Sequence, residues 1–199
     1  AYDGKVISKN NDLEITAKKF KYIKDLDLLE AYNGSVLLKT YNLEIAFIKA
    51  EVNDKNFTIT MTDGVRIDDL KNSLNIKSET IVLDRKNNIL TATDGVRIDD
   101  LKNSLNIKSE TIVLDRKNNI LNSSTNTILR DKFNNIIRTN EFKYKLDKNE
   151  LIISKAKIRD IDNNSFEINS AYIDTKKNRL IGKDVFLELD KLSFEKNND

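Results

Sequence analysis

Acidic side chains are the first to weigh as chemical candidates, because the 199 residues include neither cysteine nor histidine. That composition removes thiol nucleophiles, zinc sites of the Cys/His kind and histidine-based triads. Two adjacent acids, Asp68 and Asp69, recur as Asp99 and Asp100. Paired acids in a loop suit calcium, but no Asp-x-Asp-x-Asp-Gly spacing follows either pair, so a solvated turn is the stronger reading. Asp84 and Asp115 open the polar runs DRKNN, where an aspartate caps backbone amides. A glycan-cleaving enzyme needs two carboxylates facing one cleft, and the spacing nominates no such pair. Asn122-Ser123-Ser124 and Asn163-Asn164-Ser165 fit the glycosylation acceptor pattern and imply no catalysis. The expectation is a protein that is not an enzyme and carries no metal or cofactor.

The remaining charge is balanced. Lys and Arg total 34 against 32 Asp and Glu, a net charge of +2. The basic residues read as dispersed rather than patched, so no strong field toward nucleic acid or an anionic membrane is expected. No run approaches the roughly 20 apolar residues that span a bilayer, which predicts a soluble chain. The opening AYDGKVISKNND lacks a signal-peptide core and reads as a trimmed or mature end.

The elements that must position these residues are announced by a repeat. Residues Thr62 to Leu90 and Thr93 to Leu121 are the same 29 letters, displaced by 31 positions. A fixed period of this size is the mark of a stacked architecture whose units mainly contact their neighbours. A weaker form of the pattern starts at Leu13, Leu43, Leu74, Leu105, Asn135 and Phe166, in steps of 30 or 31 residues.

Inside each unit the apolar residues alternate with period 2 and then slip by one. Leu74 and Ile76 give way to Ile81 and Leu83; Leu13, Ile15 and Ala17 give way to Phe20 and Tyr22; Phe166 and Ile168 give way to Ile173. One extra residue in a strand restores the inward direction after a bend, so long strands folded across a crease are predicted. Polar turns such as DRKNN and DKNE follow, then a return strand: Leu90 and Ala92 then Val96 and Ile98, Leu151 and Ile153 then Ile158, or Leu180 then Val185 and Leu187. Gly34, Gly64 and Gly95 precede Val36, Val65 and Val96 and mark bends. The predicted fold is all-β: an open β-jelly roll, a folded V-shaped pair of antiparallel sheets, built from bent hairpins of about 31 residues as one elongated domain over 1–199.

The phrase LNIKSETIVLDRKNNILTATDGVRI, Leu74 to Ile98, echoed from about Gly4 to Leu189, resembles the OstA-like β-jelly-roll domains of the lipopolysaccharide transport family. Within that family the chain looks most like the N-terminal periplasmic domain of LptD, with the bridge protein LptA next. The resemblance implies a periplasmic protein at the outer membrane of a Gram-negative bacterium, with a hydrophobic groove that shelters lipopolysaccharide acyl chains. It implies edge-strand pairing with jelly rolls of the LptA or LptC type, through a first strand near Gly4 to Ser8 and a last near Val185 to Phe194. It implies an LptD barrel and LptE as partners if the chain is a fragment of LptD, and no nucleic acid. On that reading the lipid-facing row is Leu13, Ile15, Phe20, Tyr22, Ile45, Phe47, Ile76, Ile81, Leu83, Ile107, Ile112, Leu114, Phe142, Tyr144, Ile168 and Ile173. The competing expectation is a non-catalytic structural β-repeat, a scaffold or adhesin stalk, in which the same row is a closed core.

Overall fold

The computed structural model describes residues 2–8 and 11–190. They form fifteen strands and no α-helix: β1 (Tyr2–Ile7), β2 (Leu13–Ile23), β3 (Leu28–Leu38), β4 (Leu43–Asn53), β5 (Thr58–Asp69), β6 (Leu74–Asp84), β7 (Ile89–Asp100), β8 (Leu105–Asp115), β9 (Ile120–Ser123), β10 (Thr127–Arg130), β11 (Ile136–Thr139), β12 (Glu141–Lys145), β13 (Glu150–Arg159), β14 (Ser165–Asp174) and β15 (Arg179–Glu188). From β1 to β8 each strand pairs antiparallel with its sequence neighbours. The predicted all-β stack of hairpins is the observed one.

The phase slips fall at the bends. In β5 and β7 the crease is a two-residue bulge, Asp63 and Gly64 (φ 68° and 84°) and Asp94 and Gly95 (φ 67° and 79°). Their pairings with β6 jump from Thr62 to Val65 and from Lys77 to Thr80. A Cβ added at Gly64 or Gly95 meets nothing within 4 Å, so these glycines serve the left-handed backbone. Gly34 serves a different need: an added Cβ would stand 2.0 Å from the Thr16 carbonyl oxygen and 2.8 Å from Ala17. There the two strands approach too closely for a side chain.

Turns close by side-chain capping. The Asp84 carboxylate accepts from the Asn87 amide N–H and Nδ2 (2.9 and 2.7 Å), and Asp115 does the same with Asn118. Asp69 and Asp100 accept from Asn72 and Asn103 in the same way. Asn88 and Asn119, both at φ 58°, complete the turns in the left-handed region that asparagine tolerates. The second acid of each pair thus caps a turn, and no cluster of three potential metal ligands exists among the described residues.

The regular hairpin pattern breaks once, over residues 120–145. β9 and β10 together take the place of one bent strand: β8 pairs with β9 through Val113–Asp115 and with β10 through Asn106–Ser109. β11 and β12 likewise lie along β13. The bulge sequence Thr-Asp-Gly is replaced here by Asn122-Ser-Ser-Thr-Asn-Thr127. The Ser109 hydroxyl sits 3.0, 2.9 and 3.0 Å from those of Ser123, Thr125 and Thr127, so a knot of side-chain hydroxyls pins the crease where the ladder is interrupted. One cluster of buried apolar residues runs between the two halves of the folded sheet from Leu13 to Ala171.

Candidate functional site

The candidate site is the space enclosed by the folded sheet. Alternation aims Ile45, Ile67, Ile76, Ile98 and Ile107 inward from one half of successive strands, while Met61, Ile81, Leu83, Ile112 and Leu114 face them from the other half, all at 2% exposure or less. Of the sixteen predicted row residues, Leu13, Ile15, Phe20, Phe47, Phe142, Tyr144 and Ile168 are buried with them, and Ile173 is partly buried against the same cluster. Tyr22 differs. It is 59% exposed, and its hydroxyl donates to Asp27 Oδ1 at 2.7 Å. Among the described residues β2 is covered on its outer side only by the short β1, so a residue in inward register there still meets solvent.

The centre of the interior is filled, whereas its two ends are hollow. At the β1 end a cavity of about 570 Å³ opens between the halves, walled by Ile7, Leu13, Ile15, Leu29, Val52 and Phe57, with Tyr22 at its lip. At the far end a cavity of about 160 Å³ is lined by Phe133, Ile137, Leu151, Ile158, Ile173 and Leu180. Leu180, Val185 and Leu187, expected on an inward face, are all more than 40% exposed, because among the described residues no strand lies beyond β15. Residues 191–199, including the Leu192 and Phe194 end of the predicted last edge, lie outside the described residues.

Two polar clasps bridge the open side of the fold, joining turns at the ends of opposite strand halves. The Arg116 guanidinium stacks 3.7 Å from the Tyr41 ring centroid, and the Tyr41 hydroxyl donates to Asn88 Oδ1 at 2.9 Å. Arg116 is buried, which pulls its pKa below the usual arginine value, while Tyr41, Asp12 and Asp69 act against that shift. Its Nε has no hydrogen-bond partner among the described residues. In the second clasp the Tyr144 hydroxyl donates to Asp100 Oδ2 at 2.6 Å and accepts from Asn103 Nδ2 at 2.8 Å. Burial, then the hydrogen bond to Asp100, pushes that phenol above its ordinary pKa.

Sequence patterning found the inward row and missed both clasps, since Tyr144 reads as one more inward aromatic and Tyr41 as a turn residue. The one available signal is the arginine second in the turns DRKNN, where the corresponding DKNE turn has Lys148. A stacked, desolvated cation suits arginine better than lysine.

No protein-family model matches the sequence, and no curated protein matches it. Among solved structures the fold is similar to LptH of Pseudomonas aeruginosa, described as the LptA-homologous periplasmic component of the lipopolysaccharide transport device. The similarity covers 76% of this chain and 97% of that one, at 11% identity and a TM-score of 0.33. The folded antiparallel architecture itself rests on the strand pairings given above.

Proposed function

We propose that this chain is a non-enzymatic lipid conduit of the periplasm, one continuous stack that shelters lipopolysaccharide acyl chains between the halves of its sheet. The observation that carries the reading is the largely apolar cavity at the β1 end, whose wall includes Leu13 and Ile15 of the buried row, with Asp27, Asp54 and Arg85 as its charged members. Each methylene that leaves water against such a wall gains about 0.8 kcal/mol without a directional requirement, which suits a chain that slides. The sixteen-residue row is the proposed path, with Tyr22 at its entrance. Among the described residues β1 and β15 each leave one side of their backbone unpaired, and through these edges neighbouring jelly rolls of the LptA or LptC type would add strands. An LptD barrel with LptE is the proposed destination if the chain is part of a longer LptD.

The clasped, filled centre favours a second reading, a structural β-repeat with a closed core. Photocrosslinking to lipopolysaccharide separates the two. Probes at Leu29 and Tyr22 in the mouth and at Ile76 in the centre are compared with outward probes at Lys49 and Thr60. Labelling at the mouth and the centre, and not outside, is the conduit result. Absence of labelling at every inward site in folded protein leaves the closed scaffold.

A further inference from the structure

The outer face carries a feature that the interior does not use. Cross-strand pairing sets Arg66 opposite Lys77, Lys77 opposite Arg97, and Arg97 opposite Lys108. The line continues through Ile128 to Arg138 and Lys157. The sequence reads as dispersed basic residues; the fold gathers them into a ladder, because a 31-residue period returns the same register position to every second strand. Like charges directly opposite one another destabilise a sheet, so a run of four is a cost that folding alone does not explain.

The ladder lies in a trough. A cleft of about 540 Å³ is lined by Lys77, Arg97, Lys108, Arg130 and Arg138, with Asp99 as its single acid. Asp99 already accepts from Asn106 Nδ2 at 2.7 Å. None of the five cations lies in an ion pair among the described residues. The cleft shares Ile128 and Arg138 with a second hollow of about 760 Å³, where the balance changes: Lys157 pairs with Glu167 at 2.9 Å and Asp184 adds a second acid. From Lys77 to Arg138 the unpaired line crosses four strand spacings, about 19 Å at 4.8 Å each.

We infer that this trough is a binding site for an extended anionic glycan, an oligosaccharide bearing carboxylate or phosphate groups along its length. The five unpaired cations of the cleft, set at strand spacings, complement repeated negative groups. Exposed Ile128 and half-buried Ile136 supply an apolar floor for the C–H faces of sugar rings. A single-stranded nucleic acid would want aromatic faces for its bases, and the cation-lined cleft has none. A flat bilayer would meet the exposed Glu79, Asp99 and Glu110 that border the line. An extended peptide would want a free strand edge, and these strands are paired on both sides. The site stands apart from the lipid reading, since its cations face away from the interior.

The test uses the full chain and fluorescently labelled oligogalacturonate, with a phosphorylated oligomannose as the phosphate arm and a neutral maltooligosaccharide of equal length as the blank. Binding of either anionic glycan, weakened by added salt and absent for the neutral one, is expected. Arg97→Glu with Arg138→Glu lowers affinity about tenfold or more, as loss of charge-assisted hydrogen bonds requires, while Lys55→Glu leaves it unchanged. A circular-dichroism spectrum matched to wild type excludes misfolding, and Arg97→Gln with Arg138→Gln serves in its place if charge reversal unfolds the sheet. The inference is overturned by no binding of either anionic glycan, by equal binding of the neutral one, by insensitivity to the paired substitutions, or by stronger competition from anionic vesicles or single-stranded DNA.

Discussion

Excision of residues 62–92 tests the stacking logic most directly. The deletion joins Met61 to Thr93, and the hybrid strand reads TITMTDGVRIDD, letter for letter the sequence of β5. β4 therefore keeps its partner sequence, and the hybrid meets β8, whose eleven residues LNIKSETIVLD are those of β6. Each register position survives, while Val65, Ile67, Leu74, Ile76, Ile81, Leu83, Leu90 and Ala92 leave the core. Two strands at about 4.8 Å each shorten the stack by about 10 Å. A typical stability of roughly 0.05–0.15 kcal/mol per residue over 31 residues predicts a loss of about 2–5 kcal/mol. Small-angle scattering reads the maximum dimension, circular dichroism the strand content per residue, and urea unfolding the stability. A folded deletion variant whose length changed by less than one strand spacing would refute the reasoning, as would collapse into an aggregate with no cooperative unfolding.

Tyr144→Phe removes the hydroxyl that satisfies buried Asp100 and Asn103 and is expected to cost about 1–3 kcal/mol in thermal or urea unfolding. Because folding raises the Tyr144 pKa, its contribution is complete below the unfolded value near 10 and is lost as pH climbs above it; the alkaline decline in stability should therefore be shallower in Tyr144→Phe. Asp84 and Asp115 are held below the ordinary carboxylate range, chiefly by hydrogen bonds from Asn87 and Asn118, so their stabilisation is present above about pH 4 and fades as pH falls; Asp84→Asn with Asp115→Asn should flatten the acid limb of the stability profile. Gly34→Ala is expected to cost about 1–3 kcal/mol through its clash with Thr16 and Ala17, whereas Gly64→Ala, with open space around it, costs about 1–2 kcal/mol from φ alone. Tyr41→Ala removes the ring beneath Arg116 and should raise the binding of an environment-sensitive apolar dye, with no change at Lys55→Ala as the control.

The fold was legible because its signal is local. Period-2 alternation followed by a slip is visible in eleven residues of one strand, and the register jumps at Thr62/Val65 and Lys77/Thr80 stand where the slips are. The break at Asn122 to Thr127 was not legible, since a run of small polar residues reads as a turn until Ser109 is known to lie beside it. The clasps were hidden for the same reason: Tyr41 and Asn88 are 47 positions apart and meet only when the sheet folds. Tyr22 kept the inward register but not the burial, because alternation reports direction and not how many strands lie beyond. The cationic ladder was in the text all along, as Arg66 and Arg97 and as Lys77 and Lys108, yet residues spaced a full unit apart look scattered until antiparallel pairing interleaves them.

Nearest-neighbour pairing from β1 to β8 also sets how the chain can acquire its structure. Each of those strands finds its partner within one turn of sequence, so the contact order of this half is low, and the sheet can grow in the direction in which the chain is delivered, one hairpin at a time. Residues 120–145 interrupt that growth. β9 gains its second partner only when β12 arrives, and β10 must close on β8 and β11 on β10 before β13 can cover β11 and β12. This order of closure predicts a folding barrier at the hydroxyl-pinned segment: substitutions at Ser109 or Thr127 should slow refolding, whereas those in β5–β7 should chiefly speed unfolding.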